Sequence, residues 1–316
     1  MPRWWFGRQG SSRSATVDPR ATGSGARGPG VTLELRDGAE GFLTVARGVR
    51  LWYRVMGEGP TTVVVPANGN ADEVAALAVP GHQVLAYDVR GRGRSDAVLE
   101  AEQLGFGLEV GDLEAVRIAF GLDRFALVSW SYRAGVAAVY AIEHPERVER
   151  LVLVASIPVR AGLQPGPART PAPHQLARLD QLDAAGLRAA DPAAFCAAWR
   201  STYVPLLMGE PSGFDRMAPV CDLANEHPWN AARSLAHVFA DLGHYDWRGP
   251  LRGVDAPVLV VHGTEDQDPI ERATEWVDAL PGGRLYVMDG VGQFPWVERP
   301  EAFFPLVNRF LDGELV

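Results

Sequence analysis

The feature that most constrains this chain is a series of short, nearly continuous apolar runs separated by helical spacing. "TTVVVPA" (61–67), "HQVLAYD" (82–88), "RFALVSW" (124–130), "RLVLVAS" (150–156), "APVLVVHG" (256–263) and "GRLYVMD" (283–289) each read as a strand. A strand with one wet face alternates apolar and polar residues, whereas a strand covered on both faces is apolar throughout. Between these runs, "LEVGDLEAVRIAFGL" (108–122) sets Leu113, Val116, Ile118, Ala119 and Leu122 at helical spacing, and "YRAGVAAVYAIEH" (132–144) reads as a second helix. Alternating strands and helices predict an α/β chain with a mostly parallel twisted sheet flanked by helices. "GFLTVARG" and "VRLWYRVMG" precede the series and read as an opening hairpin.

One stretch breaks the alternation. Residues 158–247 are proline-punctuated and helical, as in "DPAAFCAAWRSTYVPLLMG" and "NAARSLAHVFADLG", with no buried-strand run. An insert of this kind between two core strands is expected to form a helical cap over the C-terminal strand ends, where open α/β sheets place ligands. The expected organisation is therefore a core of residues 31–157 and 248–316, a cap of 158–247, and a tail of 1–30. The tail holds five arginines against Asp18, a net of +4 that leaves −13 on the remainder. Its Ser, Gly, Pro and Arg content, with no apolar run of signal length, reads as disordered. A weak membrane-surface role for Trp4, Trp5 and Phe6 is the alternative.

With 316 residues, 47% hydrophobic and 22% charged, the chain can bury a full core. A net charge of −9 argues against nucleic acid as a partner. No run is long and apolar enough for a stable membrane association. All thirty basic side chains are arginine, so lysine Schiff bases and lysine general bases are excluded. The two cysteines, Cys196 and Cys221, read as reduced, packed thiols, which points to a cytoplasmic protein. No Cys/His cluster suggests a metal, and no cofactor is expected; the expected partner is a small molecule.

"LVSWSYRAG" (127–135) joins a buried strand directly to a helix. A serine at such a turn has the nucleophile-elbow arrangement, which lifts Ser131 above the sheet and aims the Tyr132 N–H at an oxyanion. Ser129 and Arg133 stand where the usual pattern has glycine. "AYDVRGRGRSD" (86–96), "PANGNA" (66–71), "VVHGTEDQDPI" (260–270) and "GVGQFPWVERPEAFFPLVNRFL" follow in order. Together these segments resemble the α/β-hydrolase fold superfamily over about residues 41–313. "YAIEHPERVERLVLVAS" and "FADLGHYDWRGPLRGVDAPVLVVHG" look most like its proline iminopeptidase-like branch.

The resemblance implies Ser131 as nucleophile, Asp266 as orienting acid, and position 293 as base. It further implies oxyanion donors at Tyr132 and Asn70, with Asn68 in place of the family's histidine and Gly69 matching its glycine. Position 293 is glutamine. A side-chain amide cannot take a proton from serine near neutral pH, and losing the base costs serine hydrolases about 10⁴–10⁶ in rate. Among the histidines, His262 reads as buried and hydrogen-bonded, and His82 and His144 as surface residues. His227 and His244, in the cap, are the first candidates for a replacement base, with Glu226 or Asp222 as carboxylate alternatives. Three fates are open for Asp266: accepting the Gln293 amide, pairing with Arg133, or acting as a base itself. Trp130 and Phe294 are expected to line an aromatic pocket. Three readings of function follow: an enzyme with a degenerate triad doing non-hydrolytic carbonyl chemistry on a small apolar metabolite, a serine hydrolase with a replacement base, or a non-catalytic binder.

Overall fold

A computed structural model describes residues 32–163 and 169–316. The expectations for the N-terminal tail, and for Trp4, Trp5 and Phe6 in it, lie outside the described residues. Eight strands form one sheet in the order β1-β2-β4-β3-β5-β6-β7-β8. They are β1 (Glu40–Thr44), β2 (Arg50–Met56), β3 (Thr61–Ala67), β4 (His82–Asp88), β5 (Phe125–Trp130), β6 (Val148–Val154), β7 (Val258–Gly263) and β8 (Gly283–Met288). β1 and β2 form the antiparallel hairpin, β2 pairs antiparallel with β4, and all later pairs are parallel. Burial follows the sequence pattern. β4, β5 and β7 are buried at every position, whereas the edge strands β1 and β8 alternate.

The helices that cover the sheet are α1 (Phe106–Ala119), α2 (Tyr132–Glu143), α7 (Ile270–Ala279), α8 (Pro295–Glu298) and α9 (Pro300–Leu311). Leu113, Val116, Tyr140 and Trp276 from α1, α2 and α7 join one hydrophobic cluster. Phe303, Val307 and Phe310 from α9 belong to a second cluster, with Val63, Val65 and Leu259 of the sheet. The sheet is thus buried on both faces, the condition that its uninterrupted apolar strands require. α2 lies close to the segment that returns to the core, since a Cβ on Gly135 would stand 2.7 Å from the Trp247 ring.

Between β6 and β7 the chain forms α3 (Pro173–Ala184), α4 (Leu187–Ala190), α5 (Pro192–Tyr203) and α6 (Pro228–Leu242). An antiparallel bridge between Arg160 and Asp246 closes the neck of this excursion. Cys196 of α5 and Cys221 are joined in a disulfide, with Cα atoms 5.6 Å apart. This corrects the expectation of two reduced thiols: the 204–227 segment folds back over α5, so residues 25 apart in sequence become neighbours. The argument from cysteine usage to a cytoplasmic location falls with it. Among the described residues no helix is long and apolar enough to cross a membrane.

Candidate active site

β5 delivers Trp130 at its end and α2 begins at Tyr132, so Ser131 makes the whole turn. It does so at φ 55°, ψ −135°, a conformation that costs a non-glycine residue about 1–3 kcal/mol. The Ser131 N–H donates to Val154 O at 2.9 Å, and Ser131 O accepts from Ala134 N at 3.1 Å, which fixes the strained turn between β6 and α2. The Tyr132 amide is at the first position of the helix, where an N–H has no intrahelical acceptor.

The opposing loop is held by Asp88 at the end of β4. Its carboxylate accepts the Gly69 N–H at 2.6 Å and the Arg94 N–H at 2.8 Å. Gly93 is needed between them, because a Cβ there would lie 2.2 Å from Asp88 Oδ2. Gly69 therefore serves the loop, not the pocket wall as expected, and its amide is spent on Asp88. Asn70 does reach the wall.

A cavity of about 270 Å³ lies between the sheet end and the cap helices. Ser131, Gln293, Tyr132, Asn70, Asn68, Trp130, Arg133 and Phe294 all line it, so the structure brings together most of the residues singled out from sequence. Gln293 Nε2 donates to Ser131 Oγ at 3.3 Å, and the Gln293 backbone N–H donates to Leu207 O of the cap at 2.9 Å. Its loop is organised by the buried Glu298, whose carboxylate accepts N–H groups from Gly209, Glu210, Gly292 and Phe294 at 2.8–3.2 Å.

Asp266 has neither of the side-chain partners proposed for it. Gln293 is turned to Ser131, and Arg133 donates to Asn68 Oδ1 at 3.2 Å while its guanidinium stacks 3.7 Å from the Trp130 ring centroid. Asp266 Oδ1 accepts the Asp268 N–H at 3.0 Å, and among the described residues Oδ2 has no partner. Burial pushes the Asp266 carboxyl up to about 6, against the pull of the Asp268 and Gln267 backbone N–H groups. Asp266 does not itself line the cavity; Gln267 and Asp268 from the same loop do. Burial also raises the Asp268 carboxyl, and the Asp266 charge adds to the effect.

No imidazole takes over at the serine. The described residues include all seven histidines, and none lines the cavity. His227 is buried beside the disulfide with Nε2 3.0 Å from Cys221 O, and His244 is exposed at the neck, so neither of the two cap candidates is in the pocket. His262 is hydrogen-bonded to Asp268 O at 2.9 Å, as expected of a buried residue. His82, expected at the surface, is fully buried, with Nε2 3.0 Å from Asp312. Glu226 lines the cavity but is locked to Arg92 through two contacts of 2.9 and 2.6 Å. It also accepts Gly93 N at 2.8 Å and Asn68 Nδ2 at 3.1 Å. Although burial opposes it, this set of donors holds the Glu226 carboxyl below its ordinary value, which makes it a poor base.

Asp268, Glu298 and the cap arginine Arg200 were not singled out from sequence. Asp268 had a signal, since it follows Asp266 by two residues in the acid loop. Arg200 had none, because nothing in "DPAAFCAAWRSTY" says which helical face looks inward.

A model of the alpha/beta hydrolase fold family matches residues 60–300. Over 98% of its length the chain is 29% identical to polyketide synthase ThaQ of Burkholderia thailandensis, of which it spans 14%. It is 26% identical to a 2-hydroxymuconate semialdehyde hydrolase of Pseudomonas putida, covering 89% of this chain and 91% of that one. Among solved structures, proline iminopeptidase from Mycobacterium smegmatis superposes with a TM-score of 0.60 at 22% identity, covering 87% of this chain and 98% of that one. A hydrolase from Pseudomonas aeruginosa PA01 gives 0.63 at 26%, covering 88% and 100%. The strand order, the strained serine turn and a match over most of the chain agree: the chain belongs to the alpha/beta hydrolase fold family.

Proposed function

We propose that this chain is a cofactor-free enzyme of non-hydrolytic carbonyl chemistry, acting on a small, mostly apolar metabolite by proton transfer next to a carbonyl. One observation carries the reading: the group facing Ser131 Oγ is the Gln293 amide, and no imidazole shares the cavity. In either orientation an amide is no base, so Ser131 stays a neutral alcohol and serves as a hydrogen-bonding group. The parts that polarise a carbonyl are in place. Tyr132, at the helix N-terminus, and Asn70 both line the cavity, and their N–H groups would serve as the oxyanion pair. Asp268 is the proton carrier, a carboxylate on the cavity wall whose basicity burial and Asp266 both raise.

In this scheme the carbonyl oxygen accepts hydrogen bonds from the two amides, and Asp268 removes the adjacent C–H proton. The resulting enolate is reprotonated (isomerisation or epimerisation), expels a leaving group (elimination), or attacks within the ligand (cyclisation). The similarity to part of a polyketide synthase supports a polyketide-like substrate. The similarity to a putative 2-succinyl-6-hydroxy-2,4-cyclohexadiene-1-carboxylate synthase of Bacillus subtilis, 26% identical, supports a reaction other than hydrolysis.

The test is deuterium incorporation from D₂O, read by mass spectrometry, into a panel of apolar ketones and β-keto esters. Incorporation is expected with the wild type and with Ser131→Ala, and lost with Asp268→Asn. No incorporation by the wild type, or full incorporation by Asp268→Asn, would overturn the assignment.

A further inference from the structure

We infer that the cavity is built for a ligand whose apolar body carries a carboxylate, with the cap guanidinium of Arg200 as its charge partner. This rests on the cavity being the substrate site. Four arginines line it, and three are occupied. Arg92 is paired with Glu226. Arg169 donates to Met208 O at 2.6 Å and to Glu265 at 2.7 Å. Arg133 donates to Asn68 and stacks on Trp130. Arg200, on α5, forms no hydrogen bond or ion pair among the described residues. It is half-buried in the cavity wall, and burial lowers its pKa more than the nearby acids Glu226 and Glu73 raise it.

Neither acid is hydrogen-bonded to Arg200, and both are engaged elsewhere. Glu226 is saturated by Arg92, Gly93 and Asn68. Glu73 accepts Asn70 Nδ2 at 2.9 Å, Ala218 N at 2.6 Å and Trp296 Nε1 at 2.8 Å. A half-buried guanidinium without a side-chain partner faces a cavity in which an anionic ligand would supply one. Its planar fork of N–H groups matches a carboxylate in geometry. Val204, Leu207, Met217, Leu235 and Phe239 give the same wall its apolar surface. A volume of about 270 Å³ suits a compact organic acid and not a nucleotide. Arg200 comes from the cap and the oxyanion amides come from the core. A ligand with both a carboxylate and a reacting carbonyl would therefore be held at two points.

The test uses unreactive probes on the full chain: 4-phenylbutyrate against its neutral isostere 4-phenylbutyramide, titrated by calorimetry. The wild type should bind the acid at least about tenfold tighter than the amide, as a charge-assisted pair would give. Arg200→Gln should erase the preference while leaving amide affinity unchanged, and Arg200→Lys should restore part of it. Thermal unfolding of each variant reports that it is folded. Three results would overturn the inference: equal affinities in the wild type, no binding of the acid at about millimolar concentration, or a preference that survives Arg200→Gln in a folded protein. Because the probes do not react, a negative result here leaves the proton-transfer reading intact. A failure of deuterium incorporation, conversely, leaves the binding result standing.

Discussion

Replacing Glu226 by glutamine tests whether the cap is anchored to the core by a buried ion pair. The carboxylate accepts four hydrogen bonds, two from Arg92 and one each from Gly93 and Asn68, at 2.6–3.1 Å. The side chains of Arg92 and Glu226 are only 7% and 2% exposed, so solvent screens the pair little. Removing one charge from such a pair strands the other, at a cost of about 3–5 kcal/mol. Glutamine keeps the shape and one acceptor oxygen, which places the expected loss near the lower end, about 3 kcal/mol. Equilibrium unfolding in urea, followed by tryptophan fluorescence at pH 7, measures it. Adding Arg92→Met should recover much of the loss, since the stranded cation is then gone. The effect also has a pH signature. The folded-state pKa of Glu226 is depressed, so its contribution is complete above the ordinary value of 4.5 and is lost as pH falls through the lowered folded value. Wild type and Glu226→Gln should therefore converge in acid. A variant within about 0.5 kcal/mol of wild type at pH 7 would refute the reasoning.

Glu109, buried beneath α2, accepts the Tyr132 hydroxyl at 3.3 Å on one oxygen and has no partner on the other among the described residues. Burial pushes its carboxyl up to about 7, against the charge of Arg133, so the folded state holds a proton that the unfolded state releases above pH 4.5. Stability should then fall as pH rises from the ordinary value through about 7, by up to about 3 kcal/mol, and Glu109→Gln should flatten the Tm profile between pH 5 and 8 and raise it at pH 8. The disulfide closes a loop of 25 residues, so Cys196→Ser with Cys221→Ser should cost about 3 kcal/mol in urea unfolding. Reduction of the wild type should give a shift of similar size.

The fold was legible because the buried strands are apolar without interruption and their order alternates with helices. β3 and β4 occupy the residues read from sequence, and the later strands differ by one or two residues at their ends. The elbow was legible for a similar reason: a strand that ends one residue before a helix leaves Ser131 no relaxed conformation. What stayed hidden depends on contacts between distant segments. The Cys196–Cys221 bond, the burial of His82 against Asp312 and the Arg92–Glu226 pair each join residues whose proximity no local pattern records. In the sequence, pairing with Arg133, which would explain an arginine at a glycine position, is one of three fates open for Asp266. In the fold the position of Arg133 on the first turn of α2 points it at Trp130 and Asn68, where it stacks on the ring and donates to an amide oxygen. The place of Asp268 on the cavity wall was hidden because spacing does not show which of the two aspartates of that loop lines the cavity.

The central claim is that Ser131 lacks a base. It is tested most directly by the rate of covalent labelling with a serine-directed fluorophosphonate, measured by intact mass for the wild type and for Gln293→His. The wild type should label slowly. In Gln293→His the new imidazole would lie beside Ser131 Oγ on the loop after β8, while Asp266, with one oxygen unpartnered among the described residues, stands on the loop after β7. Labelling should accelerate by about 10² or more, within the range a general base contributes. Rapid labelling of the wild type at Ser131 would contradict the account.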